Sequence, residues 1–198
     1  VEWHRQRVDD FTLSLIFLLL TSFLPPIGTR TLSSVKMADK ESTVFIIDLG
    51  ASMGAANGGR KESDLDWSMS YVWDKISNVV ASNRKTLCVG VVGLRTDETN
   101  HTLAEDGYDH ISILQPLGPM SMSGLKTLQP TIKLSRTTEG DAISAIVIAV
   151  DMIDTFTKKN KWKRQICLIT DGQGEIDPDD IGDIARKIKD SNIELTVL

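Results

Sequence analysis

Cysteine and histidine are scarce in this chain: among 198 residues there are two cysteines and three histidines. Neither set has the spacing of a thiol redox pair or a zinc site. Cys88 and Cys167 each lie inside an apolar, strand-like run, so they read as buried thiols in a reduced compartment. His4, His101 and His110 are scattered along the chain, which leaves no pattern for a histidine-based centre. An excess of positive charge is lacking as well. With 22 Lys and Arg against 27 Asp and Glu, the formal net charge is −5. That argues against a whole-surface nucleic-acid coat and leaves only a local basic patch open. A nucleotide loop is not completed either. Gly54 and Gly59 have the right separation, but Arg60 stands where lysine belongs and Lys61 where the magnesium-binding hydroxyl belongs, so an ordinary glycine-rich loop is the better reading.

No hydrophobic run is long enough for a bilayer. Residues 11–24 are almost continuously apolar and end at Pro25-Pro26, which is about a secretory core and too short to span. Asp9 and Asp10 lie directly before this run, and no small-x-small cleavage site follows it. Met37-Ala38-Asp39-Lys40 looks like a natural start just ahead of the first strand. Residues 1–36 are therefore expected to be non-native upstream translation, with a targeting segment or an ordinary extension as the other readings. Residues 37–198 are expected to form one domain. Its last strand-like run stops at Leu198, and a final strand and helix are expected to be missing, leaving a raw sheet edge.

The chain is organised around Thr43-Val44-Phe45-Ile46-Ile47-Asp48-Leu49-Gly50-Ala51-Ser52. An uncharged β-branched and aromatic run that stops at an aspartate reads as a buried parallel strand ending at the edge of a sheet. Ser63-Asp64-Leu65-Asp66 has the cap and first-turn acids of a helix, and Leu65, Met69, Val72, Ile76 and Val79 give it one apolar face. Trp67 and Trp73 read as packing residues. Residues 86–94 form a second strand, and residues 95–109 a polar loop. Within that loop Leu103 and Tyr108 either anchor it or form a small contact surface.

Residues 111–114 read as a short edge strand ended by Pro116, Gly118 and Pro119. Residues 121–128 suit a helix with Met122, Leu125 and Leu128 inward. Gly140-Asp141 opens the most apolar helix, residues 142–156, which is packed on more than one side. Its end carries Lys158, Lys159, Lys161, Lys163 and Arg164, cations that complement the negative helix end or contact phosphate. Residues 165–170 form another buried strand that also ends in an aspartate, Thr170-Asp171-Gly172. A capped helix starting at Asp177-Pro178 and a last strand, residues 193–198, complete the pattern.

Alternating strands and helices with one short edge strand predict an α/β fold: a doubly wound, mainly parallel sheet, helices on both faces and one short antiparallel edge strand. If Asp48 and Asp171 end neighbouring strands, their carboxylates meet in the crevice at the strands' carboxyl ends. Ser52 and Thr137 could join them. Oxygen ligands of this kind suit magnesium.

These residues resemble the metal site of the von Willebrand factor A domain, an Asp-x-Ser-x-Ser loop with a later threonine and aspartate. Asp48, Ser52, Thr137 and Asp171 match that pattern. Gly50 replaces the first serine and removes one ligand, so the resemblance implies a degenerate site with no metal and no other cofactor. Four further strings narrow the likeness: Tyr71-Val72-Trp73-Asp74-Lys75-Ile76, the run from Gly93 through Asn100, the run from Asp151 through Lys159, and Thr170-Asp171-Gly172-Gln173-Gly174. Together they resemble the N-terminal domain of the large Ku subunit of fungi.

That resemblance implies a nuclear heterodimer with the small Ku subunit. Such a dimer binds double-strand DNA ends through downstream domains, contacts end-joining repair factors, and contributes to telomere maintenance. It implies no membrane association. Leu103 and Tyr108 then correspond to part of a peptide-receiving surface. The family is often labelled an ATP-dependent DNA helicase, yet no nucleotide-loop or motor motif is legible, and no residue is assigned catalysis. Two rivals stand beside this reading. One is a secreted or surface adhesion module with Asp48, Ser52, Thr137 and Asp171 as a working magnesium site. The other is a phosphohydrolase with Asp48 as nucleophile, which lacks a second acid where Gly50 stands.

Overall fold

Strict alternation in the first strand decides the architecture. Val44 and Ile46 point to one side of the sheet and Phe45 and Ile47 to the other, and all four are 0–4% exposed, so both faces must be covered. The computed structural model describes residues 40–158, 160–178 and 181–198. The expectation for residues 1–36 lies outside the described residues. Within them the strands are β1 (Glu41–Asp48), β2 (Leu87–Leu94), β3 (Ile111–Pro119), β4 (Lys163–Ile169) and β5 (Ile193–Val197). They form one sheet in the order β3-β2-β1-β4-β5. β1 is parallel to both β2 and β4, β4 is parallel to β5, and only β3 runs antiparallel, beside β2.

Among the described residues four α-helices cover the two faces: α1 (Asp64–Ser82), α2 (Met122–Leu128), α3 (Ala142–Thr157) and α4 (Ile181–Asp190). On one face Val44, Ile46, Val92 and Ile166 pack against Ile143, Ile146, Ala149 and Ile153 of α3 and Ile188 of α4. On the other, Phe45, Ile47, Val91 and Ile169 pack against Leu65, Met69, Val72 and Ile76 of α1 and Leu125 and Leu128 of α2. Truncating one of these side chains, Ile46 for example, removes roughly 2–5 kcal/mol. The helix starts are capped as their sequences dictate. Ser63 Oγ accepts from Asp66 N at 3.0 Å, Ser121 Oγ from Gly124 N at 3.1 Å, and Asp141 Oδ2 from Ser144 N at 2.7 Å.

Three local expectations are corrected. The edge strand does not stop before Pro116 but continues to Pro119, with register shifts between Val89 and Val92. The bulge absorbs a proline that cannot donate to the ladder, and an edge strand tolerates it. Met122 is 57% exposed rather than inward, because a helix of seven residues turns only Leu125 and Leu128 to the sheet. Trp67 is 54% exposed and lies under the Arg60 guanidinium, 4.4 Å from the ring centroid. Trp73 does pack against the core. Both cysteines are free and buried, as expected. No described helix is long and apolar enough to cross a membrane.

Candidate functional site

Because β1 lies between β2 and β4, its carboxyl end opens onto the point where the chain's connections diverge, the usual place for a site in such sheets. Asp48 ends β1 there with no solvent exposure. A buried carboxylate needs partners, and it has three. Gly50 N donates to Oδ1 at 2.9 Å, Thr170 Oγ1 donates to Oδ2 at 2.6 Å, and Arg95 Nη2 forms an ion pair with Oδ2 at 3.0 Å. The Arg95 side chain is itself only 4% exposed. Burial pushes the Asp48 carboxyl up from its ordinary value; the Thr170 hydroxyl, the Gly50 N–H and the Arg95 cation pull it back, and Asp171 adds a smaller upward push.

Arg95 reaches this position because the chain leaves β2 in a left-handed turn, with φ 56° at Arg95. A non-glycine residue held there carries strain of order 1–3 kcal/mol, so the surroundings must fix it. They do so with glycines. A Cβ on Gly50 would fall 2.9 Å from Arg95 Cδ, one on Gly140 3.2 Å from Arg95 Cα, and one on Gly174 2.5 Å from Arg95 Cζ. Gly50 has φ −57° and ψ 156°, which any residue adopts, so glycine is needed there for space alone. Arg95 Nη1 also donates to Ser52 Oγ at 3.4 Å, while Arg95 Nε is buried without a partner among the described residues.

The expected quartet is therefore only partly assembled. Asp48 and Ser52 both meet Arg95. Thr137 Oγ1 instead accepts from Glu139 N at 3.0 Å. Asp171 Oδ1 accepts from Gln173 N at 3.0 Å and lines a groove of about 600 Å³ with Met53, Arg60, Trp67, Tyr71 and Leu198. Thr170, not Asp171, is the residue after β4 that reaches Asp48. The donor set does not fit magnesium, since a guanidinium already fills the space between Asp48 and Ser52. Arg95 and Thr170 escaped the sequence reading. The signal for Arg95 was Gly50, whose missing side chain makes its room.

The remaining candidates lie elsewhere. Leu103 and Tyr108 are half-buried and pack against the core. His101 ties their loop together, with Nε2 2.7 Å from Tyr108 O and Nδ1 accepting from Leu103 N at 3.2 Å. Lys158, Lys161 and Lys163 are exposed, and Lys159 lies outside the described residues. Arg164 is committed inward. Its Nε donates to Thr157 Oγ1 at 2.9 Å, Nη1 to Ser191 O at 2.9 Å, and Nη2 to Lys158 O at 3.0 Å and Asn160 O at 3.1 Å. That network closes the carbonyl end of α3.

The sheet order, the helices on both faces and the loop cluster around Asp48 define a von Willebrand factor A-like fold. The chain is similar to a crystal structure of the SpRpn10 VWA domain, with a TM-score of 0.59 and 13% identity over 80% of this chain and 74% of that one. Sequence comparison goes further. Residues 42–196 match the model of the Ku70/Ku80 N-terminal alpha/beta domain, and the chain belongs to that family. Relatives named ATP-dependent DNA helicase II subunit 2 are 53% identical in Chaetomium globosum and in Neurospora crassa, over 82% of this chain, and 43% identical in Schizosaccharomyces pombe, over 81%. The chain spans only 22–23% of the length of these relatives.

Proposed function

We propose that residues 37–198 are the protein-contacting N-terminal domain of a Ku large subunit, preceded in this sequence by an extension over residues 1–36. In its full-length form the subunit would pair with the small Ku subunit in the nucleus, bind double-strand DNA ends and serve non-homologous end joining and telomere maintenance. The observation that carries this reading is the match of residues 42–196 to the Ku domain family. The site geometry supports a scaffold role rather than a catalytic one. Asp48, the buried strand-end carboxylate, is engaged by Arg95, Thr170 and Gly50 and has no solvent exposure, which favours holding loops together over meeting a substrate.

The relatives carry a helicase name; in this domain no residue is assigned catalysis. Arg60 of the near-miss nucleotide loop pairs with Asp64 and stacks on Trp67, so it is not assigned to nucleotide binding. The half-buried pair Leu103 and Tyr108 is a candidate contact for peptides of repair factors, and Lys158, Lys161 and Lys163 are candidate phosphate contacts. The adhesion-module alternative requires a magnesium ion where the Arg95 guanidinium stands.

A heterodimer with and without this domain tests the proposal. Deleting it should leave affinity for blunt DNA ends largely intact, measured by fluorescence anisotropy, and abolish capture of end-joining factor peptides. If the isolated chain bound blunt ends as tightly as the heterodimer, the assignment to protein contact would be wrong.

A further inference from the structure

We propose that Arg95 is a tethered cation that stands permanently where a divalent ion would sit, and that exchanging its side chain together with Gly50 converts the same cradle into a divalent-cation site. The proposal rests on the reading of this domain as a metal-free scaffold and deepens it. Three observations carry it. First, the Arg95 guanidinium takes the position a cation would need, bonded to Asp48 at 3.0 Å and to Ser52 at 3.4 Å. An arginine fork pairs with a carboxylate as a fixed positive charge and cannot dissociate from its own chain.

Second, the space for that fork exists because of glycine. A side chain on Gly50 would collide with Arg95 Cδ at 2.9 Å and Nη1 at 3.1 Å, yet its Cβ would also lie 3.1 Å from Asp48 Oδ1. A serine there is thus crowded by Arg95, and it would sit beside Asp48 once that carboxylate shifts by a few tenths of an ångström. The two positions are competing choices between a guanidinium and a hydroxyl ligand. Third, Arg95 ties the turn after β2 to the end of β1. Its own backbone lies in the first, Asp48 and Ser52 lie in the second, and Gly140 before α3 and Gly174 after β4 leave the room in which it packs. A cation that bridges two loops in this way does the mechanical work of a structural metal ion, with no dependence on ion concentration.

Arg95 Nε is buried without a partner among the described residues, while Nη1 and Nη2 are both engaged. A side chain placed there for stability alone would be expected to satisfy all its donors. The cradle fits the charge of the fork better than its shape.

The test is a double-substitution cycle on the full 198-residue chain, with Gly50→Ser, Arg95→Ala and both together. Thermal unfolding is followed with and without millimolar magnesium or manganese, and manganese binding is counted by electron paramagnetic resonance. The wild-type chain should bind no manganese through Asp48, and its melting temperature should not move with either metal. Gly50→Ser alone and Arg95→Ala alone should each lower the melting temperature. The double variant should lose less than the two single losses combined, and should regain several degrees with manganese while binding one ion. Adding Asp48→Asn should abolish that binding. Should the double variant be unfolded without metal, manganese is expected to refold it. The proposal is overturned by Asp48-dependent manganese binding to the wild type, by additive losses in the cycle, or by a double variant that neither binds manganese nor refolds with it.

Discussion

Thr170 and Asp48 are joined by a 2.6 Å hydrogen bond that links the ends of the two central strands. The Thr170 hydroxyl donates to Asp48 Oδ2 and in turn accepts from Gly172 N at 3.0 Å, so one side chain serves both a buried carboxylate and the turn after β4. Replacing it with valine keeps the shape and removes both bonds. Thr170→Val is expected to cost about 1–3 kcal/mol, the usual cost of leaving a buried acceptor unsatisfied, measured by urea unfolding. An unchanged midpoint would show that Asp48 does not depend on this hydroxyl.

The Asp48–Arg95 pair should behave as a unit. Removing one partner of a buried ion pair costs roughly 3–5 kcal/mol, because the other charge remains without compensation, whereas removing both is far milder. Asp48→Asn and Arg95→Met should each destabilise strongly, and the double variant should be more stable than either single variant. Strict additivity in denaturant melts would mean the two groups do not interact.

Protonation of Asp48 gives a pH dependence of definite sign. Its folded-state value is raised above the ordinary 3.8, chiefly by burial and against the pull of Thr170, Gly50 and Arg95. A raised acid contributes stability that is fully present below the unfolded value and is lost as pH rises through the folded one. The carboxyl carbon of Asp48, followed by NMR, should therefore titrate at a midpoint above 3.8. A midpoint below it would mean that the Arg95 ion pair outweighs desolvation.

The thiols offer a simple check of burial. Cys167 is pushed up to about 11 by burial, against a smaller pull from Lys75, and Cys88 is raised by burial alone. Since the thiolate is the nucleophile, neither should react appreciably with iodoacetamide near neutral pH while the chain is folded, and both should react once it is unfolded. Rapid modification of Cys167 in the native chain would contradict its place in the core.

Arg164→Ala separates a structural role from a nucleic-acid one. The guanidinium holds Thr157, Lys158, Asn160 and Ser191, so the substitution should lower the melting temperature by several degrees. It should leave DNA affinity and its salt dependence unchanged in the proposed heterodimer. A change in salt slope without a change in stability would place Arg164 on phosphate instead.

Much of the fold was legible in the sequence because burial on two faces leaves a strong trace. The run before Asp48, the apolar spacing from Leu65 to Ile76 and the caps Ser63 and Asp141 each specify their element locally. β3 was misjudged because Pro116 forbids a ladder bond at one position, and only the partner strand shows that a bulge carries the pairing past it. The site was half legible. Asp48 and Ser52 stand out by type and position, but the cation that joins them comes from Arg95, and nothing in the residues next to Arg95 marks it. Its partners lie at the end of β1, more than forty residues away in sequence, and the glycines that admit it are informative only once their distance to its side chain is known. Thr170 was overlooked in favour of its acidic neighbour Asp171, whose charge drew attention while its side chain turned to Gln173 N.

The claim that Arg95 fills the strand-end site is tested most directly by the NMR signals of its own side chain. The Nη1 and Nη2 groups, held by Ser52 and Asp48, should give separate resonances whose protons exchange slowly with water, unlike those of exposed arginines such as Arg186. One averaged Arg95 resonance exchanging as fast as Arg186 would show a freely rotating guanidinium, and the account of this site would be wrong.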